Sequence, residues 1–564
     1  MSVSIRHPED VPDGTPMSVS LRSTRELATG NWRTFRPQYV TEPSPCNLDC
    51  PAGTDVRAFL TLASRGQATD AWRTILEHNP LPGVCGRVCY HPCEEACNRS
   101  AIDERVAVHA VERAIAAEAA RENAAAAVLA GARSLDDSAV AVIGSGPAGL
   151  SCAYQLARQG RRAVIFEAAD EPGGMLRYGI PAYRLPREVL SDEVDLLRRL
   201  GVEFRTGVRF GAGMVWEDLR PFDAVFLAVG AQRSRPAGVA GEDLKGVRPA
   251  IDFLRGVNAG RDVSVSGRVV VIGGGNTAVD AARVALRKGA HVTIVYRRSR
   301  AEMPAHPDEI AQAETEGVQF IFQAAPLRFQ GWRGVLTSLH CQRTRLGAPD
   351  ASGRRRPEPI PGDTLTISCN DALTAIGEEL EEAAFASAVE IAHGRLRADR
   401  WGRTAKAPLF AGGDAATGAG TVVEAIGSGS RAARAIDAML AGREIPEDPA
   451  DGRRVAVEDL NLFYFGRAAR AHVPMLHHSY AVAGFREVSG TLEWAQAREE
   501  AGRCLSCGFC TECSNCLIFC PDVAIARNVA GGGYTIDEGH CKGCGVCVAE
   551  CPRGAMALVP EEAR

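Results

Sequence analysis

Sixteen of the nineteen cysteines fall into two groups, six between Cys46 and Cys97 and ten between Cys504 and Cys551. In the second group, Cys510-x2-Cys513-x2-Cys516-x3-Cys520-Pro and Cys541-x2-Cys544-x2-Cys547-x3-Cys551-Pro repeat one four-cysteine ladder. Such a ladder gives three thiolates to one four-iron cubane and sends its fourth to the neighbouring one. Cys551 is therefore expected to complete the cluster of Cys510, Cys513 and Cys516, and Cys520 that of Cys541, Cys544 and Cys547. Zinc sites instead use cysteine pairs separated by a longer spacer. Disulfides staple small exported domains, whereas this chain has 564 residues and no apolar run of signal-peptide length in Met1–Thr41. Reduced, metal-holding thiols in a cytoplasmic protein are the expectation. Of the three remaining cysteines, Cys152 is expected to be core packing.

Two glycine-rich turns could hold dinucleotides. In Val140-Ala-Val-Ile-Gly144-Ser-Gly146-Pro-Ala-Gly149 a buried strand runs into a helix. Gly144 permits the tight turn, Gly146 lets backbone approach a pyrophosphate at the helix N-terminus, and Gly149 allows close helix–strand packing. The next strand, Val164 to Glu167, ends in a carboxylate suited to ribose hydroxyls. Further on, Phe410-Ala-Gly-Gly413-Asp414 closes a strand with an aspartate suited to a ribityl chain. The second turn, Val269-Val-Val-Ile-Gly273-Gly274-Gly275-Asn276-Thr277-Ala278, has alanine at the third position, and its next strand, His291–Tyr296, ends without an acid. Arg297 and Arg298 follow. A carboxylate there would repel a 2′-phosphate while guanidinium groups bind it bidentately, so NADP(H) is expected over NAD(H).

These motifs need several compact units to position them, and 564 residues call for roughly three or four. With 46% hydrophobic and 24% charged residues and a net charge of -5, the composition is that of an ordinary globular protein and indicates neither a nucleic-acid nor a membrane partner. The fold class is multidomain α/β. We expect an N-terminal arm (1–45), a helical iron-sulfur domain (46–136) containing one long helix over Val106–Ala132, and two tandem Rossmann-like domains. The second covers 263–370 and the first 137–262 and 371–445, an insertion that the family resemblance described next implies. A surface exit at Glu444–Ala450 leads to a connector (446–495) without a catalytic motif, then to an α+β ferredoxin-like domain with two [4Fe-4S] clusters (496–564).

The run Glu167-Ala-Ala-Asp-Glu-Pro-Gly-Gly174-Met175-Leu-Arg-Tyr-Gly-Ile-Pro181, followed by Tyr183-Arg184-Leu-Pro186, resembles the glutamate synthase small subunit and the N-terminal half of dihydropyrimidine dehydrogenase. The likeness extends from about Cys46 to Ala441 and takes in Glu302-Met-Pro-Ala305 and Ala375-Ile-Gly377. It implies FAD contacts on Gly144, Ser145, Gly146, Pro147, Ala148, Gly149, Glu167, Gly174, Met175, Arg184, Gly413, Asp414 and Thr421, the last opening a helix aimed at the flavin. It implies NADP contacts on Gly273, Gly274, Gly275, Asn276, Thr277, Arg297, Arg298 and Gly377. Among the N-terminal cysteines it implies one four-iron cluster on Cys50, Cys89 and Cys93, with a fourth ligand near Glu112, and leaves Cys85 a buried thiol. Relatives carry a further Cys-x2-Cys pair before Cys46, where Glu42-Pro-Ser-Pro45 stands here. Cys504-Leu-Ser-Cys507, which the ladders do not need, resembles that pair. Either it joins Cys46 and Cys97 in a cluster, or it is unligated.

The resemblance implies an FAD-dependent NAD(P)H oxidoreductase that moves electrons between NADP(H), FAD, the [4Fe-4S] clusters (three, or four with the added pair) and a redox partner. Cofactors carry the chemistry, and no redox Cys-x-x-Cys separates the dinucleotide folds. The partner is expected to be ferredoxin or a larger subunit in a hetero-oligomer, of glutamate synthase or 2-oxoacid:ferredoxin oxidoreductase type. The alternatives are a free-standing or bifurcating NAD(P)H:ferredoxin oxidoreductase, or a non-catalytic wiring module.

Overall fold

The computed structural model describes residues 28–131, 133–265, 267–350, 352–445, 453–528 and 532–561. The first 27 residues of the expected arm and most of the expected exit at Glu444–Ala450 lie outside the described residues. The described part of the arm is not a free extension. Its strand β1 (Phe35–Tyr39) pairs antiparallel with the last strand of the chain, Met556–Pro560.

Helix α1 (Val56–Ser64) buries Val56, Phe59, Leu60 and Ala63, the spacing of a single helical face, and Asp55 caps it by accepting from Ala58 N at 2.9 Å. It belongs to a helical layer with α2 (Pro82–Val88) and α3 (Val108–Arg121). The helix expected over Val106–Ala132 is broken. After Arg121, Asn123 takes φ 55° and a second segment runs over Ala125–Ala130. Asparagine enters the left-handed region more readily than most residues, so the alanine-rich run bends where its one asparagine falls.

Strand β2 (Ala139–Ile143) is buried along its whole length, as befits a parallel strand covered on both faces. Helix α4 (Pro147–Arg158) leads from it to β3 (Arg162–Phe166), and α5 (Arg187–Arg199) leads on to β4 (Glu203–Arg205) and β5 (Ala224–Leu227). The second sheet follows: β6 (Val247–Pro249), β7 (Arg268–Ile272), α6 (Asn276–Arg287), β8 (His291–Tyr296), α7 (Pro307–Glu316), β9 (Gln319–Phe322) and, after an excursion, β10 (Asp371–Thr374). Its order is β9-β8-β7-β10-β6, all parallel. It therefore reaches beyond 263–370 on both sides. The chain then returns to add β11 (Leu409–Ala411) beside β5, giving a first sheet of order β11-β5-β2-β3-β4. The second fold is thus inserted in the first. Helix α8 (Val422–Leu440) lies on α4 so closely that a Cβ at Gly429 would fall 2.1 Å from Ala148 O.

The excursion is a three-stranded antiparallel sheet, Ala324–Trp332, Val335–Pro349 and Arg355–Ser368, that sequence reasoning did not foresee. Its first turn is Arg333-Gly334, both at positive φ (50° and 78°), the geometry that two-residue hairpins favour.

Residues 453–495 are more than a connector. Ala481 and Val488 enter the core of the second fold, and Glu487 pairs with Arg87 at 2.7 Å and Arg113 at 3.0 Å. Helix α9 (Trp494–Gly502) then buries Ala497 and Ala501 against the helical layer, and the Glu500 carboxylate accepts from Ala107 N, Ala471 N and Arg503. The expected boundary at 496 falls inside this helix, so the ferredoxin-like unit begins after it. That unit has a small core, Cys516, Ile525, Tyr534, Cys547 and Met556, and domains of this size rely on metal for stability.

Candidate redox site

The three glycines of the first turn do different work. A Cβ at Gly144 (φ 104°) would meet Ala228 O at 2.5 Å, and one at Gly149 would meet Gly144 O at 2.0 Å, locking α4 onto β2. At Gly146 nothing lies within 4 Å of that position, so backbone there is open to a pyrophosphate. The turn borders a cleft of about 1250 Å³, larger than the roughly 300–1,000 Å³ of ordinary small-molecule pockets. Gly144, Ser145, Gly146, Pro147, Ala148, Glu167, Gly174, Met175, Gly413, Asp414 and Thr421 all line it, while Gly149 lies behind. Glu167 is fixed by Ser145 N (2.9 Å), the Ser145 hydroxyl and Ala169 N (2.8 Å). Burial, with Glu378 and Glu424 nearby, pushes Asp414 up to about 6 against the opposing N–H of Gly420. Thr421 and Glu424 form a reciprocal cap on α8, whose positive end borders the cleft. Donor set, open glycine and dimensions fit FAD.

Arg184 is a correction. It does not line the cleft but sits buried between the two dinucleotide folds, bonded to Asp280 at 2.8 Å and Glu309 at 3.0 Å. Its neighbour Tyr183 lies in the core of the second fold, so these two side chains face away from the cleft that Ile180 and Arg187 on either side line.

In the second turn a Cβ at Gly273 would strike Ala375 O at 2.1 Å and one at Gly274 the Tyr296 ring at 2.5 Å, while Gly275 faces open space. The pattern repeats that of the first turn. Asn276 and Thr277 open α6, and Asn276 Oδ1 accepts from His306 N at 3.0 Å, tying the Glu302–Ala305 turn to the loop. Gly377 follows β10 at φ 110°. The arginine pair divides. Arg297 is exposed, whereas Arg298 is buried with its guanidinium given to Arg355 O (2.7 Å) and Asp350 (2.6 Å). Arg298 is therefore committed to the hairpin sheet and unavailable to a phosphate.

The cysteines converge in three groups of four and one of three. Cys510, Cys513, Cys516 and Cys551 line one cavity, which joins the first three of one ladder to the last of the other. Cys541, Cys544, Cys547 and Cys520 lie within electrostatic reach of one another. Cys50, Cys89 and Cys93 do so at the N-terminal end, where Cys89 and Cys50 also feel Glu112. Burial pushes Glu112 up to about 8 although Asn79 donates to it at 3.0 Å. Cys85 is buried beside Glu112 and Cys89. Another cavity is lined by Cys46, Cys97, Cys504 and Cys507. Cys152 is fully buried in the core of the first fold.

Two groups escaped sequence reasoning. The Tyr39 hydroxyl, from β1, lies 3.3 Å from Cys516 Sγ; with a separation of 477 positions no local signal could show it. His91, Glu94 and His109 have ligand atoms within 4.8 Å of one another. Their imidazoles stack at 4.0 Å and Glu94 is engaged by His109 and Arg470. His91 N in turn donates to Cys89 Sγ at 3.3 Å, so this trio braces the first cysteine group from behind.

Fold and site define a pyridine-nucleotide-linked flavoprotein carrying iron-sulfur domains. The pyridine nucleotide-disulphide oxidoreductase model matches residues 138–429, the dihydropyrimidine dehydrogenase domain II, 4Fe-4S cluster model matches 39–124, and the 4Fe-4S dicluster domain matches 509–555. The NADP(+)-dependent formate dehydrogenase subunit beta of Moorella thermoacetica is 41% identical over 84% of this chain and 71% of its own length. The NADPH-Fe(3+) oxidoreductase subunit beta of Geobacter sulfurreducens is 38% identical over 82% and 75%. The glutamate synthase [NADPH] small chain of Escherichia coli is 36% identical over 69% and 87%. The chain belongs to this family of iron-sulfur flavoprotein oxidoreductases, and its cofactors are FAD, a nicotinamide dinucleotide and [4Fe-4S] clusters. Among the described residues no helix is long and apolar enough to cross a membrane.

Proposed function

We propose that this chain is the NADPH-linked electron-transfer subunit of a larger cytoplasmic redox enzyme. One contact carries the reading. A Cβ at Gly427 in α8 would fall 1.9 Å from Pro51 O, so the Cys50-Pro51 loop is pressed directly onto the helix whose first turn borders the flavin cleft. From there cysteine groups continue to the ferredoxin-like end, where Cys513 and Cys544 are exposed.

In this reading Gly144 to Ala148, Glu167, Gly174, Met175, Gly413, Asp414 and Thr421 hold FAD, with Gly149 behind them packing helix on strand. Gly273 to Thr277, Arg297 and Gly377 hold NADP(H). Cys50, Cys89, Cys93 and Glu112 hold one [4Fe-4S] cluster, Cys510, Cys513, Cys516 and Cys551 a second, and Cys520, Cys541, Cys544 and Cys547 a third. Bound flavin supplies the conversion between two-electron hydride chemistry and one-electron transfer. The protein orients and insulates. Glu167 receives ribose hydroxyls, the open backbone at Gly146 and Gly275 receives pyrophosphates, and the α8 N-terminus favours negative charge at the ring.

The relatives named above are beta subunits or a small chain, and by that likeness the partner is a larger subunit that performs the substrate chemistry. Anaerobic purification of the native protein tests this. A stoichiometric larger subunit, with NADPH reducing first flavin and then clusters, supports it. A lone chain that turns over NADPH with ferredoxin at full rate would replace it with the free-standing oxidoreductase.

A further inference from the structure

We propose that Cys46, Cys97, Cys504 and Cys507 hold a fourth [4Fe-4S] cluster, assembled from the two ends of the chain and placed between the first cysteine group and the ferredoxin-like unit. The site itself stands on geometry. Only its role as a relay rests on the function proposed above.

All four thiols line one cavity, whose walls include the apolar Leu60, Val106, Val108 and Leu505 and the cationic Arg57 and Arg99. Cys46 lies within electrostatic reach of Cys97, Cys504 and Cys507. Polar hydrogens already point at two of the sulfurs: Ser506 N is 3.4 Å from Cys504 Sγ and Asn98 Nδ2 is 3.6 Å from Cys507 Sγ. Donors of this kind suit thiolate ligands, which accept hydrogen bonds once they hold metal.

The approach of the two ends is built in. The Ser44 hydroxyl donates to Cys507 O at 2.7 Å. Gly508, at φ 74°, leaves no room for a side chain, since a Cβ there would sit 2.1 Å from Glu42 O. The buried Arg503 guanidinium holds Asp103 (2.9 Å) and Glu500 (2.6 Å), fixing the start of the Cys504 turn on the helical layer. Burying such a network and closing a loop of several hundred residues is costly, and a cation shared by four thiolates offsets that cost.

Spacing selects the occupant. Four thiolates on one zinc, with Zn–S of about 2.3 Å, stand about 3.8 Å apart. Among the described residues the trio with ligand atoms within 4.8 Å of one another is His91, Glu94 and His109, and no cysteine set is that tight. That is too open for four thiolates on one zinc, whereas on a cubane each thiolate takes a different iron.

Position gives it a task. Cys46 precedes Cys50 by four residues and lies within reach of Cys93, while Cys507 precedes Cys510 by three residues. Arg57, which lines this cavity, lies 3.9 Å over the Phe509 ring, which lines the next. A cluster held there would take one electron from the Cys50 side and give one toward Cys510, with no atom transferred.

The test uses the full chain, purified anaerobically with its clusters, and compares it with Cys504→Ser/Cys507→Ser and with Cys46→Ala. Iron, acid-labile sulfide, zinc and FAD are measured together. Four cubanes require about sixteen irons per FAD, falling by about four in each variant while FAD stays at one per chain. Twelve irons in the unaltered protein, one zinc beside twelve irons, or unchanged iron in the double variant would each overturn the site. The unaltered protein's own count decides the matter even where a variant fails to fold. The relay is read separately, by electron paramagnetic resonance of the ferredoxin-like clusters after reduction with NADPH and with dithionite. Loss of the NADPH signal alone in the variants is expected. An intact NADPH signal with four irons missing would retain the site and overturn the relay.

Discussion

Replacing Arg297 with alanine should cost NADPH selectively, and replacing Arg298 should not. Arg298 is 5% exposed at its side chain and spends its donors on Asp350 and the Arg355 carbonyl, so it cannot turn toward a ligand without breaking both bonds. Arg297 is exposed at the end of β8, its carbonyl pinned by the Thr344 hydroxyl at 2.8 Å, which leaves its guanidinium facing solvent where a 2′-phosphate would lie. A hydrogen bond to a charged group contributes about 1.5–3 kcal/mol, which corresponds to roughly a 10- to 150-fold loss in kcat/KM. NADH has no 2′-phosphate and should change by less than about twofold on the same scale. The assay is steady-state reduction of a one-electron dye by each dinucleotide, for Arg297→Ala and Arg298→Ala in parallel. Arg298→Ala should lower Tm and affect both dinucleotides equally. A selective NADPH loss in Arg298→Ala, with none in Arg297→Ala, would refute the division of roles.

Tyr39→Phe removes the hydroxyl 3.3 Å from Cys516 Sγ; because hydrogen bonds to cluster sulfur raise potentials, the cluster there should titrate lower by tens of mV, from about 1 kcal/mol per bond and about 59 mV per tenfold for one electron. An unchanged potentiometric titration of that cluster would show that the contact does not tune it. Arg184→Ala should keep full FAD content yet lose about 3–5 kcal/mol of stability, the usual result of leaving a buried carboxylate such as Asp280 unpaired; loss of flavin without loss of stability would restore Arg184 to the flavin site. Burial raises Glu193 from 4.5 to about 8, although it accepts from Gly83 and Val84 N–H. A raised carboxyl favours the native state fully below 4.5 and loses that contribution as pH rises through about 8. Glu193→Gln should therefore gain in Tm relative to the parent between pH 5 and 9, and a pH-independent difference would contradict the burial.

The chemistry was legible in the sequence wherever it rests on short-range spacing. Both glycine turns, Glu167 and the two four-cysteine ladders declare themselves because a turn needs glycine at fixed positions and a cluster needs thiolates a few residues apart. The inserted order of the two dinucleotide folds was legible too, from the family motifs that resume after the second sheet. Backbone breaks and long-range partners were not. The break at Asn123 turns on one residue's left-handed conformation, and the hairpin sheet over 324–368 on the antiparallel pairing of three strands. Arg298 reads as a phosphate ligand by position, and only the folded chain shows Asp350, 52 residues later, taking its charge. The same holds for Arg184 and Asp280, 96 residues apart, and for Tyr39 against Cys516. Residues 453–502 carry no motif, yet tertiary packing makes them the strap that seats Cys504 and Cys507 beside Cys46 and Cys97. The physical reason is common to all of these. Spacing fixes which atoms can meet over one turn of chain, whereas burial decides which charges must be paired, and burial is a property of the whole fold.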